Sequence, residues 1–402
     1  MAISFEITPE QEKLKEQAAE FAQREIAPIA AEIDQRDDSG MIRSLHQKMA
    51  QVPYGYTGMF IPEECEGSQR SVIDACVILE ELVAIGTSAV CGAVIELDML
   101  ASGPIKLGGN KEQQKKYLPP IARGEGLVSF CLTEPGIGSD AAALRTRAEL
   151  VGDEYVLNGR KRYASFAHLA GFNVVFAKTD PEKGARGVSA FVVPSGTPGF
   201  TVVERIPCLG MRGHQDEEIT IENCRIPREN LIGEEGKGLR YALGSLDDSR
   251  ITLTSGYIGL ARAAMEEAVR FARARRAFGK EIAEFQAVSF PLTDVAIEIE
   301  AARLLTHKAA WLADNKVMHT AETAAAKAFT SQLLIKATNL AVEVHGGFGC
   351  TQRFSVERMF RDARIWVFAQ GAPNIQRLIA MRALFERLEP SPNLIEEIAA
   401  KG

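Results

Sequence analysis

The apolar period of this 402-residue chain changes twice, and those two changes constrain its fold more than any single motif does. Up to about residue 125, apolar residues recur at intervals of three and four, as along one face of a helix. Thr8 as N-cap, Pro9 at the first helical position and Gln11 closing a capping box mark the first helix, and further helices are predicted over 72–84 and 112–121. From Gly126 short β-branched runs take over at 128–133, 155–157, 173–177, 188–193, 201–203 and 219–221, and Asn158-Gly159 reads as a hairpin turn between two of them. After Gly236-Lys237-Gly238 the helical period returns over about 238–274, 284–314, 320–345 and 374–387, which suggests a bundle. The expected class is therefore α+β, mostly α: a helical domain over 1–125, a central β domain over 126–236 and a four-helix bundle over 237–402.

Composition narrows the possible functions. Hydrophobic residues at 46% and charged residues at 25% are those of a folded globular chain, and the length favours two to three domains. The net charge of −7, with no run of Lys and Arg, lacks the footprint of a nucleic-acid binder. No apolar run approaches a membrane span and the acidic start MAISFEITPEQEKLK is unlike a leader peptide, so no membrane partner and a cytoplasmic location are expected. Seven cysteines without a C-x-x-C pair read as reduced structural thiols, and no metal site is expected.

Four segments carry candidate chemistry. In Leu132-Thr-Glu-Pro-Gly-Ile-Gly-Ser-Asp140 a G-x-G follows a strand, but no third glycine opens a helix, so a dinucleotide fingerprint fails. An ordinary Pro-Gly turn and a loop presenting hydroxyls and amides to a ligand both remain open. Arg275-Arg-Ala-Phe-Gly-Lys280 either complements a helix dipole or meets an anion. His345-Gly-Gly-Phe-Gly349 has more glycine than a C-cap requires, which suits close approach of a diphosphate. The mixed charges of 356–364 suit a solvated, salt-bridged face.

Taken together, in this order and at these intervals, LTEPGIGSD, NGRKRY, PCLGMRG with CRIPRENLIG, RRAFGK and the HGGFG to RDAR stretch resemble the acyl-CoA dehydrogenase flavoprotein family over residues 8 to 388. The resemblance implies bound FAD, an acyl-CoA substrate, an electron-transfer flavoprotein as partner, and a homotetramer in which one subunit's helices contact its neighbour's flavin. It places Phe130 and Thr133 on the strand lining the flavin ring, and Tyr163 and Ser165 in the element covering its other face. Arg275, Phe278, Gln286, Gly346 and Gly347 match the neighbour's contacts to the diphosphate and adenine, with Glu343 standing where the family usually has Gln. Ser139 matches a contact to the CoA arm, Asp247 and Arg250 match the pair holding its pantetheine and adenylate end, and Ala369 lines the acyl site.

The family's catalytic base is missing. Its glutamate position holds Gln370, which has no ionisable group, and the alternative position on the first bundle helix holds Ser249. Two acids remain in GAVIELDMLASGPI, which matches the helix lining the acyl end of the pocket: Asp98, placed first because apolar Leu97, Met99 and Leu100 flank it, and Glu96. Asp248 is expected to face solvent. Gln370 would still offer its backbone N–H to the thioester carbonyl. Ala369 and Ala372 stand where the family often has Tyr and Thr, so a wider site for a cyclic or branched acyl group is expected, as in family members that act on alicyclic carboxyl-CoA thioesters and move the base to an aspartate. The rival readings are a family reaction without α-proton removal, such as desulfination, and a non-catalytic binding paralogue.

Overall fold

The computed structural model describes residues 7–36 and 38–387. The first six residues, on which the leader expectation partly rests, and everything after 387 lie outside the described residues. Six helices come first: α1 (Pro9–Phe21), α2 (Ala30–Arg36), α3 (Ser39–Ala50), α4 (Val72–Gly86), α5 (Ala89–Gly108) and α6 (Lys111–Ala122). The Thr8 capping box forms as predicted, and Asn110 with Gln113 makes a second one at the start of α6.

Seven strands follow: β1 (Leu127–Cys131), β2 (Arg147–Val151), β3 (Glu154–Ser165), β4 (Ala170–Lys178), β5 (Val188–Pro194), β6 (Phe200–Arg205) and β7 (Asp216–Pro227). They form one sheet in the order β1-β4-β2-β3-β7-β6, with β5 also paired to β4. Asn158-Gly159 is not the expected hairpin turn. It lies inside β3, at a break in its register with β7, where Asn158 Oδ1 accepts from the Asn223 N–H at 2.7 Å. Glycine is needed there because a Cβ on Gly159 would sit 2.4 Å from the Thr146 hydroxyl. The β2–β3 hairpin turns instead at Gly152, φ +63.

The remaining elements are α7 (Gly238–Ala274), the short pair β8 (Arg276–Ala277) and β9 (Lys280–Glu281), then α8 (Gln286–Asp314), α9 (Thr320–His345), α10 (Val356–Trp366) and α11 (Pro373–Arg387). Helix α7 packs on α8 and α9 within the bundle and on α4 and α5 of the first helical group, so its buried residues run almost continuously from Ser249 to Ala264. Helix α10 is no solvated face: Arg358 and Asp362 are buried, and Arg361 makes a two-pronged ion pair with Asp34 of α2 at 2.7 and 2.8 Å. All seven cysteines are free, five of them buried. No helix among the described residues is long and apolar enough to cross a membrane.

The contact of α5 with α7 positions the site. Pro104 lies inside α5 and has no N–H, which frees the Leu100 carbonyl four residues earlier. Ser245 of α7 donates its hydroxyl to that carbonyl at 2.6 Å. Gly103 lets the two backbones close, since a Cβ there would lie 1.9 Å from Ser245 Oγ. The next contacts step along both helices: Thr252 Oγ1 donates to Met99 Sδ at 3.4 Å, and Gly256 faces the Glu96 carboxyl. Residues 92, 96, 99 and 103 thus share the face of α5 that meets α7 and α10.

Candidate active site

At the mouth of this contact, Ser249 of α7 donates its hydroxyl to Gln370 Oε1 at 2.8 Å. Arg250, buried beside it, donates from Nε to the Gln370 carbonyl at 2.8 Å and from its terminal nitrogen to Asp247 at 2.8 Å. Thr320, the first residue of α9, donates to the other Asp247 oxygen at 2.9 Å. Two turns further along α7, roughly 10 Å deeper at 1.5 Å per residue, Gly256 faces Glu96. Glu96 is buried, its Oε1 has no hydrogen-bond partner, and the indole N–H of Trp366 is likewise unpartnered. Burial pushes the Glu96 carboxyl up to about 8, and the charge of Lys327 opposes that rise.

Asp98 points the other way. Two residues from Glu96 is about 200° around a helix, and Asp98 meets His46 of α3, with Oδ2 2.8 Å from Nε2 and both side chains buried. Burial raises the Asp98 carboxyl, while His46 opposes that rise; burial would lower His46, but Asp98 holds it above an ordinary histidine. Asp248 leaves about half its side chain (47%) open and faces His319 at 3.3 Å.

A second cleft, of about 410 Å³, lies on the sheet side and is lined by Thr133, Arg162, Tyr163 and the 134–138 turn. Glu134 and Ile137 close that turn through reciprocal backbone hydrogen bonds, with Pro135 and Gly136 at its corners. The Pro-Gly turn expected in LTEPGIGSD therefore forms, and it borders the cleft. The turn is anchored by Glu134, which accepts from the Arg145 N–H at 2.6 Å, the Thr146 hydroxyl at 2.6 Å and the buried Lys161 ammonium at 2.8 Å. Burial alone would raise Glu134, but Lys161 and these donors hold it below the usual carboxylate range. Tyr163, at a break in the β3–β7 register with φ +56, projects half-exposed into the cleft. Ser165 donates to Asp216 at 2.7 Å, and Phe130 packs on Phe176.

At the far end of the bundle, Phe278 is 96% exposed at the tip of the β8–β9 turn, and the Arg275 guanidinium sits 5.9 Å over the ring of Phe348. Gly346 (φ +58) and Gly347 are open: no heavy atom comes within 4 Å of where their Cβ atoms would be. Gln286 and Ser139 are exposed, and Ala369 is half-buried.

Comparison with known proteins agrees with this architecture. Family profiles for the N-terminal, middle and C-terminal domains of acyl-CoA dehydrogenases match residues 8–125, 129–224 and 236–385. The chain is 38% identical over 386 residues to a probable acyl-CoA dehydrogenase, YngJ, of Bacillus subtilis, covering 96% of this chain and 100% of that one. It is 37% identical over 381 residues to the caffeyl-CoA reductase-Etf complex subunit CarC of Acetobacterium woodii, covering 94% and 99%. The solved butyryl-CoA dehydrogenase of Megasphaera elsdenii superposes with a TM-score of 0.90 at 33% identity, over 95% of this chain and 100% of that one. The chain belongs to the acyl-CoA dehydrogenase family.

This acyl-CoA dehydrogenase is an oxidoreductase whose cofactor is FAD, and its surfaces fit that group. The cleft of Thr133 and Tyr163 offers a hydroxyl and an aromatic face for the ring. Arg275, exposed Phe278 and the open Gly346-Gly347 offer a cation, an apolar plane and room for a diphosphate. Gln370 and Ser249, the two positions the sequence resemblance would assign to the base, are bonded to each other and are both neutral. Several residues that border these sites carry no mark in the sequence: Lys327 under the 369–371 turn, the Glu134–Lys161 anchor, His46 and Trp366. For Lys327 the available signal was a lysine amid apolar neighbours, and Lys161, between Arg160 and Arg162, looks like part of a charged surface run until burial is known.

Proposed function

We propose that this acyl-CoA dehydrogenase oxidises a bulky acyl-CoA thioester, cyclic or branched, and that Glu96 takes the proton. The observation that carries the reading is the Glu96 carboxyl, buried on the α5 face that meets α7, with an unpartnered oxygen and a proton affinity raised to about 8. The pairing of Asp98 with His46 supports Glu96 over Asp98 as the acid that serves the acyl pocket. Lying roughly 10 Å below Ser249 along α7, Glu96 would reach a carbon farther from the thioester than the usual α carbon. A wide acyl group brings such a carbon within reach, and the small side chains of Ala369 and Ala372 leave it space.

In this reading Asp247 and Arg250 hold the CoA arm, and Ser139 meets it from the sheet side. The Gln370 N–H donates to the thioester carbonyl and stabilises the charge that develops there on proton removal. Trp366 and Tyr257, both buried, keep water from Glu96 and so keep its carboxyl basic. Bound FAD supplies the hydride acceptor. The partner proposed for reoxidation is an electron-transfer flavoprotein, which the name of the Acetobacterium relative couples to that protein. A homotetramer is supported by a stripe on α8, where Phe290, Ile297, Leu304 and Trp311 recur every seven residues and are all exposed.

The test is anaerobic titration of the yellow protein with straight-chain, branched and alicyclic acyl-CoA thioesters. Flavin bleaching greatest with a branched or alicyclic thioester is the expected result. Bleaching greatest with a straight chain overturns the substrate class, and sulfite release from a sulfinate-bearing acyl thioester without bleaching overturns dehydrogenation.

A further inference from the structure

Three consecutive carbonyl oxygens in the turn after α10 are each held by a buried side chain from the bundle. The Lys327 amino group, on α9, lies 2.5 Å from the Ala369 carbonyl and also bonds the carbonyl of Gly371. Arg250 Nε, on α7, holds the Gln370 carbonyl between them at 2.8 Å. Gln370 has φ +55 and Gly371 φ +105, so two successive residues occupy the left-handed region. A side chain in that region costs about 1–2 kcal/mol, so the turn keeps its shape only if its surroundings hold it.

The planarity of the peptide unit gives this arrangement a direction. The N–H of Gln370 belongs to the same trans peptide as the Ala369 carbonyl, and the two point oppositely. With that carbonyl held by Lys327, the Gln370 N–H is turned away from α9, and it donates to no protein acceptor among the described residues. Lys327 is fully buried, and burial together with Arg250 pushes its amino group well below an ordinary lysine while Glu96 pulls it back up. A side chain that costly to bury is retained for the bonds it makes.

We propose that Lys327 is a positioning residue that pins the 369–371 turn so that the Gln370 N–H is presented to the thioester carbonyl of the substrate. The proposal rests on the reading of Gln370 as the carbonyl donor and is independent of which acid takes the proton. Lys327 touches no reacting atom; it acts through the turn. Deleting its amino group frees two carbonyls and lets the peptide rotate, and a misplacement of about 1 Å at a reacting group can cost on the order of 100-fold in rate.

The experiment uses FAD-loaded protein and acetyl-CoA carrying ¹³C at the carbonyl. Acetyl-CoA has no β carbon and cannot be dehydrogenated, so its carbonyl stretch in difference infrared spectra reports polarisation without turnover. In the parent the stretch should move to lower frequency than in solution. In Lys327→Met it should return toward the solution value, with FAD content held and flavin reduction by the best thioester slowed about 10- to 100-fold. If Lys327→Met does not fold, Lys327→Gln, with one amide donor in place of two bonds, should show part of both changes. An unshifted carbonyl in the parent, or parent-like stretch and rate in the variants, overturns the proposal. Because the stretch is read without proton transfer, a Glu96→Gln variant that loses no activity would remove the base reading and leave this one intact.

Discussion

The hydroxyl of Ser249 donates to the side-chain oxygen of Gln370 at 2.8 Å, so the two positions that the sequence resemblance would assign to a base close on each other as a neutral pair. Neither takes a proton at neutral pH. The pair shapes the site entrance, and its hydrogen bond is worth about 1 kcal/mol.

Gln370→Ala removes that bond and keeps the backbone N–H. Flavin reduction by the true substrate should stay within about tenfold of the parent, a change no larger than one lost hydrogen bond produces. Stopped-flow absorbance decides it: a loss of three orders of magnitude with FAD content unchanged would mean that the amide itself serves the reaction.

Glu96→Gln keeps shape and removes the ionisable group. Flavin reduction should slow by about 10² to 10⁴, the usual contribution of a general base. In the parent kcat/KM should rise with pH to a plateau above about 8, because the base works ionised, and the variant should lose that rise. Stability should move oppositely. Between the ordinary glutamate range and about 8 the folded state holds a proton that the unfolded state has lost, so this group makes the parent less stable as pH rises, by about 1.4 kcal/mol per pH unit. Denaturant midpoints across pH 5 to 8 should show a smaller fall in Glu96→Gln.

Asp98→Asn should leave flavin reduction within a few-fold of the parent and instead lower stability by about 1–3 kcal/mol, the cost of weakening a buried hydrogen bond to a charged group. The effect should depend on pH in a defined direction. His46 is held above an ordinary histidine by Asp98, so its contribution is fully present below about 6.5 and is lost as pH rises through the raised value. Thermal unfolding at pH 5.5 should therefore separate parent and variant more than unfolding at pH 9. A rate loss of 10² or more in this variant would return Asp98 to the role of base.

Arg275→Ala should weaken FAD retention by roughly 1.5 to 3 kcal/mol if the guanidinium meets the diphosphate, since a charge-assisted contact is lost. Arg275 is exposed in the single chain and makes no ion pair among the described residues, so folding should be unaffected. Flavin released on gel filtration, with an unchanged unfolding midpoint for the apoprotein, is the expected signature. Parent-like retention would place the diphosphate elsewhere.

Much of the fold was legible because it is written locally. Helices α7 and α9 begin and end where the apolar period and its glycine and histidine borders put them, at Gly238–Ala274 and Thr320–His345. Asn158-Gly159 misled because a dipeptide that favours a hairpin turn also suits a bulge, and only the approach of Thr146, just before β2, selects between them. The charges of 356–364 look like a solvated face until α2 supplies Asp34 to Arg361 and the loop before β7 offers the Met211 N–H to Asp362.

The sequence by itself determined the order of helical and β segments, the family and the neutral residues at 370 and 249, since each depends on residue type and spacing along the chain. It put Asp98 ahead of Glu96, although the two acids are two residues apart with apolar neighbours on either side. Which way each acid faces belongs to the packing of α5. Pro104 frees a carbonyl, Ser245 takes it, Gly103 admits α7, and the rotation so imposed turns Glu96 toward Gly256 and Trp366 and Asp98 toward His46. The face a helix presents is set by what docks against it, and the docking partners lie from about 50 to about 270 residues away in the chain.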